Sequence, residues 1–178
     1  MKVLVLSGSP NAKGTTNTLV EAFCEGAESA GHEVEVLKVG RMKINPCLGC
    51  GACRKEGGSC VRKDDMFQVW PSLLAADAVV LVTPIYYFGM TAQLKSTIDR
   101  FFAFNGQLRE MNKKTYLISV SGDKDEWVMD GLRAHFSAIC RYLNWEESGS
   151  LLAQGFYTAD EIKDTDWPEQ ARALGASL

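Results

Sequence analysis

The chain has 178 residues, of which 46% are hydrophobic and 23% are charged, and this balance is typical of one globular domain with a sizeable core. Its net charge of −3 excludes the strongly basic surface that attracts nucleic acid or anionic lipid. We therefore expect one domain over residues 1–178, with neither nucleic acid nor a membrane as its partner.

The opening residues lack the features of a secretory signal or of a membrane helix. The apolar run at residues 3–6 is too short for either and is followed by Gly8 and Pro10. We expect a cytoplasmic protein, in which thiols stay reduced. Its six cysteines then indicate free thiols, metal binding or redox chemistry, and a disulfide framework is the weaker interpretation.

Short apolar runs alternate with amphipathic helical patterns along the chain. Strands are expected at residues 3–6, 33–39, 78–82, 115–120 and 151–156, with 33–39 half exposed at an edge and 78–82 central. Helices are expected at residues 17–30, after caps at Asp64 and Thr91, at residues 127–142 and at residues 167–174. Residues 40–62 show no periodicity and are expected to form a long loop.

The helix after Thr91 has a clear division into two faces. Its buried face is expected to carry Leu94, Ile98, Phe101 and Phe102. Its solvated face is expected to carry Lys95, Asp99 and Arg100.

The alternation of strands and helices predicts a parallel sheet with helices on both faces. Five strands suit the order 2-1-3-4-5, which makes the expected fold class a flavodoxin-like three-layer α/β sandwich. In such sheets ligands bind beyond the carboxyl ends of the strands, at the point where the strand order reverses. This rule selects three loops, at residues 7–18, 83–91 and 119–126.

The first loop has the composition of a phosphate-binding segment. Residues 7–18 read SGSPNAKGTTNT, and the helix that follows offers unpaired N–H groups and a partial positive charge. The loop matches neither a Walker A motif nor G-x-G-x-x-G, so a phosphate monoester such as that of FMN is the better match. A helix-capping turn without a ligand would have a similar composition. The candidate residues are Ser9, Pro10, Asn11, Thr15, Thr16, Asn17 and Thr18.

The second loop presents three consecutive aromatic residues. Because they directly follow the central strand, they cannot all enter the core, and their rings can stack on a planar group such as isoalloxazine. Packing against a partner subunit is the alternative for any one ring. The candidate ring-binding residues are Pro84, Ile85, Tyr86, Tyr87, Phe88 and Gly89. The third loop adds Ser121 and Gly122, which also suit an ordinary turn.

Three sequence segments together resemble a known family. SGSPN at residues 7–11, GTTNT at 14–18 and TPIYYFG at 83–89 are similar to those of NADPH-dependent FMN reductases, and more narrowly to the branch that contains the iron–sulfur flavoproteins. The resemblance covers roughly the first two-thirds of the chain, and residues beyond about Gly122 match no assigned motif. It implies that the first loop binds the FMN phosphate, that Pro84 to Gly89 line the ring, and that the protein forms homodimers or higher oligomers.

Four cysteines lie close together in a cysteine-rich loop at residues 45–62. The spacing Cys47-x2-Cys50-x2-Cys53-x6-Cys60 allows a cubane cluster or one tetrahedral metal ion to be held. It resembles the motif of iron–sulfur flavoproteins, which implies a [4Fe–4S] cluster. Zinc and free thiols remain open as alternatives. Cys24 and Cys140 lie in helical patterns and are expected in the core.

The sequence predicts an NAD(P)H-dependent oxidoreductase that passes electrons through FMN to a flavin, a quinone or another acceptor. Because the cofactor carries the chemistry, we assign no catalytic side chain. The first alternative is an iron–sulfur flavoprotein that acts as an electron carrier reduced by ferredoxin. The second is a zinc-stabilised interaction module.

Overall fold

The computed structural model describes residues 1–55 and 60–178. The strands within these ranges are β1 (Lys2–Ser7), β2 (Glu33–Leu37), β3 (Ala78–Pro84), β4 (Lys114–Ser121) and β5 (Glu146–Gln154). The helices are α1 (Thr15–Ser29), α2 (Ala52–Lys55), α3 (Met66–Ala75), α4 (Ala92–Asp99), α5 (Asn105–Arg109), α6 (Asp130–Leu143), α7 (Ala159–Lys163) and α8 (Trp167–Ala176). Short 3-10 turns lie at Val39–Arg41, Arg100–Phe104 and Glu126–Met129.

The five strands form one sheet in which all the pairings are parallel. Their order is β2-β1-β3-β4-β5, so the predicted topology is confirmed. β3 lies at the centre and is apolar along its length because helices cover both of its faces. β2 is half exposed at one edge, as expected. From β1 the chain continues to β2 on one side, and from β3 it continues to β4 on the other side. The connections that leave these two adjacent strands therefore diverge where the strand order reverses.

Two apolar cores, one on each face of the sheet, confirm the three layers. Alternate residues of one strand point to opposite faces, so Leu4 and Leu6 pack with α3, α4 and α6. Val3 and Val5 pack instead with α1, α7 and α8. On this second face, α1 crosses α8 closely at Gly26 and Gly175, where an added methyl group would collide with the backbone of the other helix.

Element boundaries differ from the sequence expectations where periodicity is weak. The short helices α2, α5 and α7 were not predicted, and α2 lies inside the stretch expected to be a loop. The last strand begins at Glu146 and ends at Gln154, earlier than expected. The sequence pattern missed its first half because those residues are polar. Such short or mixed segments carry too few apolar positions to reveal a period.

The end of α4 departs from the expected pattern for a geometric reason. The helix ends at Asp99 and continues as a 3-10 turn, which has fewer residues per turn than an α-helix. Phe102 therefore rotates out of the buried face and is 43% exposed, so its expected core position was wrong. Lys95 and Asp99 do lie on a partly exposed face, where they form an i,i+4 ion pair.

Arg100 was expected in solvent and is instead only 2% exposed. Its Nη1 donates to Asp64 Oδ2 at 2.8 Å and to the carbonyl oxygen of Asn45 at 2.9 Å, and its Nη2 donates to Asp64 Oδ1 at 3.2 Å. Asp64 Oδ1 also accepts the Met66 N–H at 3.2 Å, but the N-cap of α3 is Asp65, so the cap expected at Asp64 lies one residue too early. One buried ion pair thus joins the end of α4 to the segment that precedes α3.

Across residues 1–55 and 60–178, the helices fall short of the length and apolar character that crossing a bilayer requires.

The buried ion pair predicts a loss of stability in acid. Burial alone would raise the pKa of Asp64, but hydrogen bonds from Arg100 and from the backbone N–H groups of Asn45 and Met66 outweigh burial and lower it. The stabilisation is therefore complete above the unfolded-state pKa of about 3.9 and disappears as the pH falls through the lower folded-state pKa. We expect the free energy of unfolding to fall between about pH 5 and pH 2 in urea denaturation experiments.

Removing the charge of Asp64 tests whether this carboxylate causes the loss of stability in acid. Asp64→Asn should lose this pH dependence and should be less stable by about 3–5 kcal/mol at pH 7, because it leaves Arg100 buried without a counter-charge. The control Asp99→Asn disrupts an exposed pair and should cost at most about 1 kcal/mol. Equal stability of Asp64→Asn and the unmodified protein at pH 7 would contradict the assignment.

Candidate functional site

The first loop is held in shape by its own side chains. The Asn17 amide donates to the carbonyl oxygens of Asn11 at 3.0 Å and Ala12 at 2.7 Å. The Ser9 hydroxyl exchanges hydrogen bonds with the backbone of Asn11 at 3.3 Å. Asn17 and Ser9 therefore define the loop around the start of α1, and their predicted contact with a phosphate stays a prediction, as does that of Pro10.

The start of α1 presents donors that the described chain leaves unused. Gly14 is the N-cap, and no side chain in the described ranges caps the helix. Thr16 is 1% exposed, yet its Oγ1 has no hydrogen-bond partner among residues 1–55 and 60–178. A buried hydroxyl without a partner costs free energy, so an acceptor at this helix end would satisfy it. Thr15 is buried beside it and Thr18 is half exposed.

A chain of hydroxyl groups ties this loop to the loop after β3. Thr91 Oγ1 donates to the Gly8 carbonyl oxygen at 2.8 Å and accepts the Leu94 N–H at 3.3 Å, which confirms Thr91 as the cap of α4. Thr83 Oγ1 accepts the Thr91 N–H at 2.9 Å, and Ser119 donates to the Thr83 carbonyl oxygen at 2.8 Å. The ends of β1, β3 and β4 are therefore connected by hydrogen bonds.

The aromatic loop after β3 is a tight, strained turn. Tyr86 and Gly89 exchange backbone hydrogen bonds at 3.0 and 3.2 Å. Tyr87 and Phe88, at its tip, have φ of +47° and +62°, a left-handed conformation that costs bulky residues roughly 1–2 kcal/mol each. The turn holds Tyr87 fully exposed, at 100%, and Tyr86 and Phe88 about half exposed. Strain that presents aromatic rings to solvent is typical of a binding site.

The second and third loops line one cavity of about 290 Å³ at the carboxyl ends of the strands. It contains the predicted residues Ile85, Tyr87, Phe88, Ser121 and Gly122. Pro84 ends β3, and the following Ile85 N–H donates to the Val120 carbonyl oxygen at 2.8 Å, which fixes the direction of the turn.

The cavity also contains residues that the sequence did not indicate. Tyr157 lies over Gly122, in the space that a side chain there would fill. Trp127 is outside the cavity lining and packs on Phe88, with ring centroids 4.8 Å apart and ring planes tilted by 34°. Val128 also lines the cavity, as does Asp123, which belongs to the third loop selected from the sequence. The available signal was positional: Tyr157 follows β5, whose carboxyl end lies at the same edge of the sheet as those of β1, β3 and β4.

The four clustered cysteines line a different cavity, of about 390 Å³. Cys47 and Cys50 are exposed, whereas Cys53 and Cys60 are half buried against the core. Gly49 and Gly51 have φ of +64° and +68°, which lets the chain turn twice between the thiols. The Gly49 N–H donates to Cys47 Sγ at 3.4 Å. The opposite wall is the end of α4, with Arg100 and Phe102.

The thiols of this loop differ in arrangement from the remaining two cysteines. In the part of the chain that the structure describes, no three His, Cys, Asp or Glu side chains converge on one metal-binding point. The four clustered thiols therefore surround a cavity rather than a single point. Burial raises the pKa of Cys24 and Cys140 to about 11, so these thiols stay protonated. Cys140 is buried in the core and Cys24 is half buried, close to the expectation.

Comparison with known proteins agrees with this geometry. The family model described as NADPH-dependent FMN reductase matches residues 1–152. The chain is 38% identical over 104 residues to an iron–sulfur flavoprotein of Archaeoglobus fulgidus, in an alignment that covers 58% of this chain and 47% of that protein. The chain thus spans about half the length of the curated relatives it matches.

Two further relatives match over nearly their whole length. A Bacillus subtilis protein named as an NAD(P)H-dependent FMN-containing oxidoreductase is 26% identical over 171 residues, which cover 92% of this chain and 91% of that protein. The structure of an NAD(P)H:quinone oxidoreductase from Methanothermobacter marburgensis superposes with a TM-score of 0.77 at 20% identity, covering 100% of this chain and 96% of that chain. The sheet order, the loops at its carboxyl edge and the match over residues 1–152 agree, and the chain belongs to the NADPH-dependent FMN reductase family.

Proposed function

We propose that this protein binds FMN and uses NAD(P)H to reduce a flavin, a quinone or another small or protein acceptor. The observation that carries the proposal is the buried, unpartnered Thr16 hydroxyl at the uncapped start of α1. Membership of the family and the name of the Bacillus subtilis relative support it.

The residues at the sheet edge fit the two ends of FMN. The N–H groups at the start of α1 and the Thr16 hydroxyl provide donors for a phosphate, within a loop that Ser9 and Asn17 keep in shape. The exposed turn at Tyr86, Tyr87 and Phe88 provides flat apolar surface for the ring.

Bound FMN would supply a hydride acceptor for the nicotinamide and a donor of one or two electrons for the acceptor. The protein's part is to orient the ring and leave one side accessible. The tip of the turn stands free of the core, so a nicotinamide or an acceptor can approach it. Ser121, Gly122 and Tyr157 form the wall opposite the turn, and their polar groups can contact a ring edge.

An electron carrier with an iron–sulfur cluster is the second candidate, because four thiols meet at one cavity. A four-iron cluster spreads its ligands over four iron atoms, so the thiolates need not converge on one point. A zinc ion instead requires four sulfurs within about 2.3 Å of a single atom, and the described cysteines do not converge in this way. Together, Cys47, Cys50, Cys53 and Cys60 would hold a [4Fe–4S] group.

Two further proposals concern assembly and location. The exposed stack of Phe88 on Trp127 adjoins the candidate flavin site and suits a contact between two copies of this chain in a homodimer or tetramer. Cys47 and Cys50 are exposed and form no disulfide within residues 1–55 and 60–178, which suits the reducing cytoplasm.

Anaerobic purification followed by absorption spectroscopy and a turnover assay tests the function. We expect flavin bands near ~450 nm and oxidation of NADH or NADPH with a quinone or free flavin as acceptor, with a shoulder near ~400 nm if a cluster is present. Bound FMN without turnover would favour the electron carrier. Folded protein that stays colourless with excess FMN would overturn both proposals.

Thr16→Val tests the phosphate contact. The substitution keeps the shape of the side chain and removes the hydroxyl, so FMN should bind about tenfold or more weakly, as expected for loss of a hydrogen bond to a charged group. Without FMN, the variant should be as stable as the unmodified protein or more so, because a buried unpartnered group is removed. Fluorescence titration with FMN and thermal unfolding measure the two effects.

The matched control is Thr115→Val, which removes a buried hydroxyl near the start of β4. This position lies at the amino ends of the strands, away from the candidate site at their carboxyl ends. Its FMN affinity should equal that of the unmodified protein. If both variants bind FMN equally well, the phosphate is not at Thr16.

Tyr87→Gly tests whether the strained turn serves the flavin. Glycine relieves the left-handed strain at this fully exposed position, so the free energy of unfolding should stay the same or rise slightly. Loss of the ring should weaken FMN binding by about fivefold or more, since a stacked aromatic pair contributes about 1 kcal/mol. The control Asn112→Gly makes the same change to glycine at a second left-handed position, with φ of +45°, and should leave FMN affinity unchanged. Unaltered FMN affinity in Tyr87→Gly would exclude this ring from the site.

A further inference from the structure

The cavity lined by the four cysteines also has a cationic wall. Arg54, Arg62 and Arg100 all line it. The Nε atoms of Arg62 and Arg100 are buried and have no acceptor among residues 1–55 and 60–178. A buried charged donor without an acceptor is costly, and two such donors at one cavity indicate that an acceptor belongs there.

The hydrogen bonds of Arg100 lie on its outer nitrogens and leave its Nε–H for the cavity. Its Nη1 and Nη2 bind Asp64 and the Asn45 carbonyl oxygen, and its guanidinium lies 5.6 Å from the centre of the Trp70 ring. Burial would lower the pKa of Arg100, but Asp64 and the nearby Cys60 raise it, so the group stays cationic. The guanidinium is thus held rigidly beside one of the four thiols.

The charges around the cavity favour an anionic occupant. Asp64 lies behind Arg100 and binds its outer nitrogens, and Asp99, which also lines the cavity, is paired with Lys95. Arg54 and Arg62 have no carboxylate partner within the described residues. A group bound by four thiolates is negatively charged, and partial burial makes its stabilisation by N–H donors larger than in water.

We propose that Arg62 and Arg100 donate their Nε–H groups to the sulfur atoms of an iron–sulfur group held by Cys47, Cys50, Cys53 and Cys60, and that they thereby raise its reduction potential. The inference rests on the cluster named under the proposed function. Uptake of one electron from the flavin or from a ferredoxin adds one negative charge, which the two cations stabilise. The step transfers no proton, and no bond in the protein forms or breaks.

The midpoint potential of the reconstituted full-length protein tests this role under anaerobic conditions. Arg62→Gln removes a donor and a charge, whereas Arg100→Lys keeps the charge and removes the Nε–H. At a fixed ambient potential each variant should show a roughly tenfold lower ratio of reduced to oxidised cluster, which is a shift of about −59 mV for one electron. If the ratio of reduced to oxidised cluster in both variants stays within twofold of that in the unmodified protein, the proposal is overturned.

Arg54→Gln is the matched control. Arg54 lines the same cavity, but its side chain is exposed and its guanidinium lies 5.9 Å from the centre of the Phe102 ring. Its ratio should change less than twofold, because solvent screens an exposed charge. A tenfold change in this control would show that net charge alone sets the potential and would overturn the role of the buried donors.

A second measurement separates this inference from the cluster itself. If iron and acid-labile sulfide are absent from the reconstituted protein, the cluster proposal fails, and the arginines are then tested with Cd²⁺ as a thiolate probe. Titration followed by thiolate-to-metal absorbance should give roughly tenfold weaker Cd²⁺ binding in Arg62→Gln than in the unmodified protein or in Arg54→Gln. Equal Cd²⁺ affinity in all three would overturn the inference.

If Arg100→Lys does not fold, Arg62→Gln, which disrupts no ion pair of the described chain, decides the outcome.

Discussion

The hydrogen bond from Thr91 to the Gly8 carbonyl oxygen is the contact on which the candidate flavin site depends. This hydrogen bond joins the end of β1 to the start of α4 at the point where the strand order of the sheet reverses. Gly8 permits this approach, because a Cβ there would lie 2.6 Å from the Cβ of Leu94. The phosphate loop and the aromatic turn, which are far apart in sequence, are therefore parts of one rigid edge.

The edge of the sheet that carries the candidate flavin site contains features that lower the stability of the fold. The Thr16 hydroxyl is buried without a partner in the described chain, and two bulky residues at the tip of the aromatic turn are in left-handed conformations. Both features cost stability, and the surrounding sheet, whose strands are buried on both faces, offsets the cost. The cysteine cavity repeats the pattern, since Arg62 and Arg100 leave donors unpaired there. Among the buried side-chain groups that lack a partner in the described chain, Thr16, Arg62 and Arg100 lie at the two proposed cofactor sites, whereas Thr115 lies at the start of β4, away from both.

The sequence was a reliable guide wherever the physical signal is local. Buried runs such as β3 predict strands, and the regular alternation with helices leads to the sheet order. Small residues before α1 and aromatic residues after β3 predict the two halves of the proposed flavin site. The sequence failed at Arg100, where neighbouring charges suggested a solvated face but the partner, Asp64, lies 36 positions earlier. It also missed Tyr157, because the tail beyond β5 has no motif and reaches the site only through the position of its strand.

The amino-acid sequence by itself determined the layer architecture, the family and the identity of the residues at the carboxyl edge, because periodicity and turn composition act over a few neighbours. Tertiary structure alone decided which polar groups are buried, which of them lack partners and which distant side chains meet. Burial depends on what the rest of the chain places around a residue. The cationic wall facing the four thiols is the clearest instance, since it is assembled from residues on both sides of α3.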